Sequence, residues 1–263
     1  MPTVKDIAAF LEDKIPSSMK QSWDNVGLLV GFPENEVSKC MLALDATTDV
    51  IREAAEAGAE LIVAHHPVLF QTKTVLYSDY TGRVIIHSVK NNISIICMHT
   101  NLDSVYDGVN AALMDAIEVP KIGILEPEGS NPDGHEFGIG YYGELAAPVD
   151  FRVFLARVYN NLSCHGIRYY AAGGYVKKIA CCGGSGGDYI SRALALGCDT
   201  LVTSDMKHHH FLEAREMGLN VIDAGHFCTE NIIMPKIAEL LSGGFKDVEF
   251  HLSASSCQAE QYF

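Results

Sequence analysis

Two stretches of the 263-residue chain align with each other without a gap, and this internal repeat limits the possible folds more than any other feature. Residues 39–63 and 178–202 each start at a lysine, run through a strand pattern and a helical pattern, and end in a second apolar run. Gly58 falls opposite Gly197 at the end of the helical pattern. A repeat of this length indicates that one supersecondary unit is built twice. A chance match is the alternative, because small and acidic residues are common at such turns.

Short apolar runs with strand character alternate with helical patterns along the chain. The helical patterns are bounded by Gly or Asp, which is typical of βαβ units with parallel strands. Residues 3–15 predict an opening helix that begins at Thr3, with Asp6 three residues on, and ends at Pro16. The predicted strands are 26–30, 40–45, 60–64, 93–98, 177–182, 200–203 and 219–223.

The sequence therefore predicts an α/β fold of two pseudo-symmetric lobes, residues 1–125 and 126–263. The segment 123–140 is rich in Gly, Pro and acidic residues, and we expect it to be the lobe junction or a mobile loop. Because the same unit is built twice, a functional site is expected where the two lobes meet.

The charge of the chain bears on its partners. With 19 basic and 33 acidic residues, the formal net charge is −14, which repels phosphate backbones and disfavours nucleic acid as a partner. No apolar stretch approaches the length of a membrane span, and the N-terminus lacks the pattern of a secretory signal. We therefore expect a cytoplasmic protein with no membrane partner, whose eight cysteines are mostly buried, reduced thiols.

Two adjacent histidines follow a predicted strand. His65 and His66 come directly after an apolar run, and Pro67 ends the strand. Ligands of open α/β sheets bind at the carboxyl ends of strands, so functional side chains are expected here. Burial as neutral core histidines is the alternative, but two in a row are harder to bury. Because adjacent side chains leave a strand on opposite faces, two neighbouring metals suit the pair better than one.

Two acidic residues extend this set. His99 and Asp103 share the spacing His-x-x-x-acid with His226 and Glu230, and both pairs follow an apolar strand. Considered alone, each acidic residue is expected to be a helix cap or a first-turn acid. Beside the histidines, however, carboxylates can bridge two divalent cations and lower the pKa of a water between them.

The sequence thus predicts a binuclear metal centre for two divalent ions, with zinc, iron, manganese, cobalt and nickel all suitable. His99 is a reserve ligand or a partner that orients Asp103. His99 and Asp205 are also the candidates for proton transfer. The predicted metal ligands are His65, His66, Asp103, His226 and Glu230.

Two further motifs each have two interpretations. The run 208–210, three histidines after a strand, lies at a pocket rim or forms the solvated start of a helix. The glycine-rich segment 183–188 holds a phosphate on its backbone amides, or it is a tight turn from strand to helix with Asp188 as the cap.

Taken together, several motifs resemble the NGG-one-interacting-factor-three-like family, whose members often carry the name GTP cyclohydrolase one type two homolog. The resemblance covers nearly the whole chain, and the combination of motifs is highly specific. The motifs are SWDNVGLLVG (22–31), LALDAT (42–47), LIVAHHPVLF (61–70), MHTNLDS (98–104), GEL (143–145), CCGGSG (181–186), TSDMKHH (203–209) and AGHFCTE (224–230).

The resemblance implies two interlinked α/β lobes, a binuclear metal site in the cleft between them on the five ligands named above, and a homohexameric ring. Trp23, Asp24 and Asn25 match an early motif of the family and are expected to shape the cleft. Tyr141 stands where members often carry an arginine, which puts an anion contact there in doubt. The chain is too short for the extra domain that longer members insert.

The function implied by the resemblance is metal-dependent hydrolysis, in which a metal-activated water attacks the guanine ring of GTP. The same ligands would serve a phosphoesterase or an amidohydrolase. An alternative from another class is a non-catalytic ring protein that binds or handles metals or regulates a partner. A DNA-associated ring would need a basic cavity, which the charge of this chain does not indicate.

Overall fold

A computed structural model describes residues 1–71, 74–131 and 134–263 as a mixed α/β protein with two sheets. The strands are β1 (Gly27–Val30), β2 (Lys39–Asp45), β3 (Leu61–His66), β4 (Ser94–Cys97), β5 (Lys121–Ser130), β6 (Glu136–Asp150), β7 (Arg168–Tyr170), β8 (Tyr175–Ser185), β9 (Thr200–Ser204), β10 (Asn220–Asp223) and β11 (Glu249–Leu252). The helices are α1 (Val4–Lys14), α2 (Thr48–Ala57), α3 (Tyr80–Lys90), α4 (Thr100–Ser104), α5 (Val109–Ala116), α6 (Phe151–Asn161), α7 (Ile190–Ala195), α8 (His208–Met217), α9 (His226–Glu230) and α10 (Met234–Gly244).

The chain divides into two compact units. Unit 1 comprises Met1–Leu102 and Met234–Cys257, and unit 2 comprises Asp103–Ile233 and Gln258–Phe263. This division differs from the predicted boundary between residues 125 and 126. The chain returns to unit 1 near its end because β11 pairs in parallel with β2, a long-range pairing that no local pattern indicates.

Unit 1 is built on a five-stranded sheet in the order β1-β4-β3-β2-β11. The central strands β2, β3 and β4 pair in parallel, and their nearly continuous apolar sequences are buried, as expected for strands covered on both faces. The opening helix is confirmed. Thr3 and Asp6 form a reciprocal capping box at its start, which satisfies backbone N–H groups that the helix cannot.

Unit 2 is built on a six-stranded sheet in the order β5-β6-β8-β9-β10-β7. Strands β8, β9 and β10 are parallel, whereas β5, β6 and β7 join the sheet through antiparallel pairings. Its core includes fully buried side chains such as Phe154, Ile179 and Ile222. All seven predicted strands are present at or within a few residues of their expected positions in the two sheets.

The segment 123–140 is not a lobe junction, and the prediction of a loop there is wrong for the residues that the structure describes. Strands β5 and β6 fill most of it as an antiparallel hairpin. The register shifts between Pro127 and Gly129, so the glycine and proline content marks an irregularity in β5. Proline is tolerated because β5 is an edge strand. Residues 132–133 of this segment lie outside the described residues.

The aligned stretches form the same β-α-β arrangement in each sheet. Cys40 pairs with Leu61 across β2 and β3, and Ile179 pairs with Thr200 across β8 and β9. These four residues occupy equivalent positions in the alignment of 39–63 with 178–202. The two aligned stretches therefore share the register of their parallel strands as well as the order of their elements.

The hydrogen bonds within each β-α-β arrangement also recur. The Glu60 carboxylate accepts the backbone N–H of Lys39, and the Asp199 carboxylate accepts that of Lys178. The ammonium groups of the same two lysines donate to carbonyl oxygens near the ends of α2 and α7. Equivalent positions of the alignment thus make equivalent polar contacts, because equivalent side chains meet equivalent backbone groups.

All eight cysteines lie in the described ranges and are free thiols, and seven of them are buried, as expected. Among the described residues, none of the helices combines the length and the apolar character that crossing a membrane requires.

Candidate metal centre

Strand β3 ends in the two adjacent histidines. It continues two residues beyond its predicted end, through His65 and His66, before Pro67. His65 is fully buried, and the His66 side chain is 21% exposed. The two ring centroids are 4.9 Å apart, so both imidazoles lie together at the carboxyl end of the strand.

Backbone contact sets the tautomer of His65. Its Nδ1 atom lies 2.7 Å from the carbonyl oxygen of Met98. Because a carbonyl oxygen only accepts, Nδ1 carries the proton and donates it to this bond. Nε2 is then the basic nitrogen, which is the form in which an imidazole binds a metal ion.

A carboxylate sets the tautomer of His66 in the same way. Nδ1 of His66 donates to Oδ1 of Asp45 at 2.7 Å, and the two residues are register partners across β3 and β2. The carboxylate fixes the ring orientation and makes Nε2 a stronger ligand.

His99 has the same arrangement. Its Nδ1 atom donates to Oδ1 of the buried Asp24 at 2.9 Å. Burial raises the pKa of Asp24, but hydrogen bonds from His99 and Thr100 outweigh it and hold this pKa below its usual value. One ring nitrogen each of His65, His66 and His99 can be chosen so that all three lie within 4.8 Å of one another. Unit 1 thus gathers three oriented imidazoles that could hold a metal ion.

In unit 2, α9 carries a histidine and an acid one turn apart. Nε2 of His226 lies 3.0 Å from Oε2 of Glu230, and Nδ1 of His226 lies 2.7 Å from Oδ2 of Asp205. Burial lowers the pKa of His226, but its bonds to Asp205 and Glu230 outweigh this effect and raise that pKa to about 11. The two carboxylates therefore favour positive charge on His226. A metal cation bound at Nε2 would supply this positive charge in place of the proton.

Asp205 follows β9 in an unusual backbone conformation, with φ of 52°. Its Oδ2 atom also accepts a hydrogen bond from the Ser185 hydroxyl at 2.8 Å. The hydrogen bond from His226 is the main cause that lowers the pKa of Asp205. A non-glycine residue in the left-handed region is costly, which fits a side chain placed for a specific contact.

One carboxylate oxygen of Asp103 and one of Glu230 lie within 4.8 Å of each other. Burial raises the pKa of Cys182 well above its usual value, and the negative charges of Asp103 and Glu230 raise it further. Glu230 is 4% exposed. The carbonyl oxygen of Asp103 accepts a hydrogen bond from the Asn110 amide, which ties α4 to α5. Unit 2 thus brings together the two predicted acids, which lie 127 positions apart in sequence.

The glycine-rich segment packs closely against the Glu230 side chain. Residues 183–185 belong to β8, and the expected tight turn from strand to helix follows at Gly187–Tyr189, just before α7. The amides of Gly183 and Gly184 donate to the side chains of Asn110 and Thr229, which uses the donors that a phosphate would need. Gly184 has φ of 62°, and a Cβ atom there would lie 2.2 Å from Oε1 of Glu230. Glycine at this position therefore makes room for the carboxylate.

Of the three consecutive histidines, only His210 is buried. Its Nδ1 atom accepts the backbone N–H of Lys207 at 3.1 Å, and its Nε2 atom donates to Asp188 at 3.2 Å. The sequence suggested that Asp188 caps α7. Asp188 does not cap this helix and instead accepts the hydrogen bond from His210. His210 therefore has a structural role at the start of α8, whereas His208 and His209 are exposed.

Tyr141 and Cys228, two residues outside the metal set, have structural roles. Tyr141 is buried, and its hydroxyl donates to the carbonyl oxygen of Tyr106. Cys228 lies between His226 and Glu230 on α9, but it is buried and its thiol donates to Gln258 at 3.5 Å. Neither residue is presented for nucleophilic chemistry.

Sequence reasoning missed the acceptors that orient the histidines. Asp24 and Asp45 both lie in motifs that resemble the family, but the motifs do not indicate which side chains they contact. For Asp45 a signal existed: it ends β2, the strand that neighbours β3, at the level of His66. No comparable signal connects Asp24 with His99.

Comparison with known proteins identifies the family of the chain. The sequence matches the Duf34/NIF3 (NGG1p interacting factor 3) family over residues 2–260. The chain belongs to this family. It is 38% identical over 253 residues to a Clostridium perfringens protein named GTP cyclohydrolase 1 type 2 homolog, covering 95% of each chain. It is 40% identical over 231 residues to a protein of the same name from Clostridium acetobutylicum, covering 86% of this chain and 85% of that one.

Solved structures of similar proteins support the fold. A hypothetical protein of Staphylococcus aureus is 28% identical, with a TM-score of 0.91 and coverage of 99% of both chains. Reduced HcgD from Methanocaldococcus jannaschii is 27% identical, with a TM-score of 0.78 and coverage of 95% of this chain and 97% of the other. The predicted α/β class and the predicted family are both confirmed.

Proposed function

We propose that this member of the Duf34/NIF3 family is a binuclear metal protein that acts as a metal-dependent hydrolase and opens the guanine ring of GTP. One observation supports the metal site above all others: His65, His66, His99 and His226 each have Nδ1 beside an oxygen acceptor. In His65, His66 and His99 this arrangement places the basic lone pair on Nε2, and in His226 a metal cation at Nε2 would replace the proton that is shared with Glu230. The choice of reaction rests on the name that the relatives carry.

The proposed ligands are the five that the sequence predicts: His65 and His66 from unit 1, and Asp103, His226 and Glu230 from unit 2. The chemistry of the donors supports the set, because imidazoles supply neutral nitrogens and two carboxylates can bridge two cations. Zinc, iron, manganese, cobalt and nickel all suit these donors. In this proposal the two units are pseudo-symmetric lobes, which the repeated strand register of the aligned stretches supports.

Two divalent ions would supply an activated water and polarise the substrate, as in other binuclear hydrolytic sites. The roles of the surrounding residues follow from their contacts. The bond from His226 favours Asp205 as a positioning residue over a proton shuttle. The closeness of His99 to His65 and His66 favours His99 as a third imidazole ligand, with proton transfer as its second candidate role.

A homohexameric ring in the cytoplasm belongs to the same proposal, and the net charge of −14 supports partners other than nucleic acid. The second candidate function is a ring protein that binds or handles metals without turnover. The burial of His65 and Glu230 favours it, because buried ligands hold an ion without exchanging it readily with solvent.

Metal analysis of untagged protein tests the proposal. Wild type should contain about two transition metal ions per chain, and His65→Ala should contain fewer. His209→Ala is the matched control, because His209 is exposed and should not affect metal content. Loss of GTP on the metal-loaded protein, abolished in His65→Ala, would support the hydrolase. Two metals without turnover would favour the second candidate, and a metal-free wild type would contradict both.

A further inference from the structure

Two large aromatic side chains of unit 1 are exposed beside the histidine cluster. Trp23, the only tryptophan in the chain, is 57% exposed, and Phe70 is 50% exposed. Exposing large apolar rings to water costs free energy, so an exposed aromatic pair at a candidate site indicates a ligand-binding surface.

The backbone around these rings is held firmly. The Asn25 side chain donates to the carbonyl oxygen of Leu69 at 2.7 Å, which ties the segment that carries Trp23 to the segment that carries Phe70. The buried Asp24 carboxylate accepts the backbone N–H of Thr100 at 3.0 Å. The two aromatic residues are therefore exposed on ordered supports, which reduces the entropy that a ligand must remove on binding.

Both rings border His99. The Trp23 and Phe70 centroids each lie 5.9 Å from the His99 centroid, in edge-on arrangements. They lie 6.2 Å from each other with planes inclined by 33°. The His99 ring lies 5.3 Å from His65 and 5.5 Å from His66. The exposed aromatic surface therefore adjoins His99 directly, and His99 in turn adjoins His65 and His66.

We infer that Trp23 and Phe70 form a stacking surface that binds a planar heteroaromatic ring of the substrate beside the metal centre. The inference deepens the proposed function and rests on it for the position of the centre. Aromatic rings bind such surfaces in offset-stacked or edge-to-face arrangements at centroid distances of about 4.5 to 7 Å. Stacking tolerates different bases because every base has a π face, so these residues select a ring, and other groups select its substituents.

The single tryptophan makes the test direct. Fluorescence of the full-length, metal-loaded protein reports on Trp23 alone, and excitation at the red edge of indole absorption avoids the nucleobase. The probes are guanosine, adenosine, GTP and inorganic tripolyphosphate. The two nucleosides and GTP should quench the emission with saturation, whereas tripolyphosphate, which has no ring, should not.

Substitution separates stacking from other causes of quenching. Phe70→Ala should weaken guanosine binding about tenfold, which corresponds to one base–aromatic stack, and Phe70→Tyr should restore it. Tyr175→Ala, at an exposed tyrosine of unit 2, is the matched control and should bind as wild type does. Trp23→Phe, followed by calorimetry, should keep most of the affinity because the ring face is retained.

Measuring metal content and GTP turnover on the same samples distinguishes this inference from the proposed function. Quenching by guanosine without turnover would keep the stacking surface and remove the hydrolase. Turnover with no quenching by any ring-bearing probe would keep the hydrolase and overturn the stacking surface. Equal quenching by tripolyphosphate and GTP, or unchanged affinity in Phe70→Ala, would also overturn it.

Discussion

Asp45 and His66 face each other across the parallel strands β2 and β3, and Oδ1 of Asp45 lies 2.7 Å from Nδ1 of His66. The strand register therefore delivers both the candidate ligand and the carboxylate that orients it. Because the contact depends on backbone pairing, neither side chain needs a flexible loop to reach the other. The consequences for metal binding can be measured.

Asp45→Ala should weaken metal binding by about 10 to 100-fold, the usual effect of removing a carboxylate that orients a metal-bound histidine. The free His66 ring can then rotate and exchange tautomers. Competition with a chelator measures the affinity. Asp49→Ala is the control, because Asp49 is an exposed acid on α2 that pairs with Arg52. Equal affinities of the two variants would contradict the assigned role of Asp45.

Glu230→Ala should lose metal with little loss of fold. The substitution removes a proposed ligand, whereas the core of unit 2 is apolar and His226 keeps its bond to Asp205. Metal analysis and circular dichroism check the two parts. Glu249→Ala, at an exposed acid that pairs with Lys39, should keep its metal. Full metal retention in Glu230→Ala would remove this residue from the ligand set.

Gly184→Ala should reduce metal content because its Cβ atom would displace Oε1 of Glu230. Gly58→Ala is a close control: Gly58 also has positive φ, 72°, but an added Cβ would meet nothing within 4 Å. Both variants should lose about 1 kcal/mol of stability through backbone strain. Only Gly184→Ala should lose metal, and equal metal content in the two variants would contradict the role of this glycine.

The stability of the metal-free protein should depend on His226. Its folded pKa of about 11 lies above its ordinary value of 6.5, so the ion pairs contribute fully below pH 6.5 and are lost as pH rises through 11. His226→Gln should therefore destabilise the metal-free protein at about pH 6 and much less at about pH 10. Urea unfolding of both proteins at several pH values measures the difference. A difference that does not change with pH would contradict the raised pKa.

Much of the fold could be predicted because its signals are local. Apolar runs located seven strands, and the cap at Thr3 located the first helix. Strand β11 was missed since its burial is slight and its pairing with β2 joins distant parts of the chain. The hairpin at 123–140 was missed because glycine and proline usually mark loops, whereas here they accommodate a register shift at the sheet edge.

The sequence by itself determined the set of candidate ligands, because strand-end position and the spacing His-x-x-x-acid are readable along the chain. It also determined the repeat, whose lysines and acids make equivalent bonds in both units. Only the tertiary structure decided which acceptor meets which imidazole. Asp24 and His99 are 75 positions apart, and Asp45 and His66 are 21 apart. The location of a proton on one imidazole nitrogen depends on contact through space, and such contacts exist only after the strands have paired.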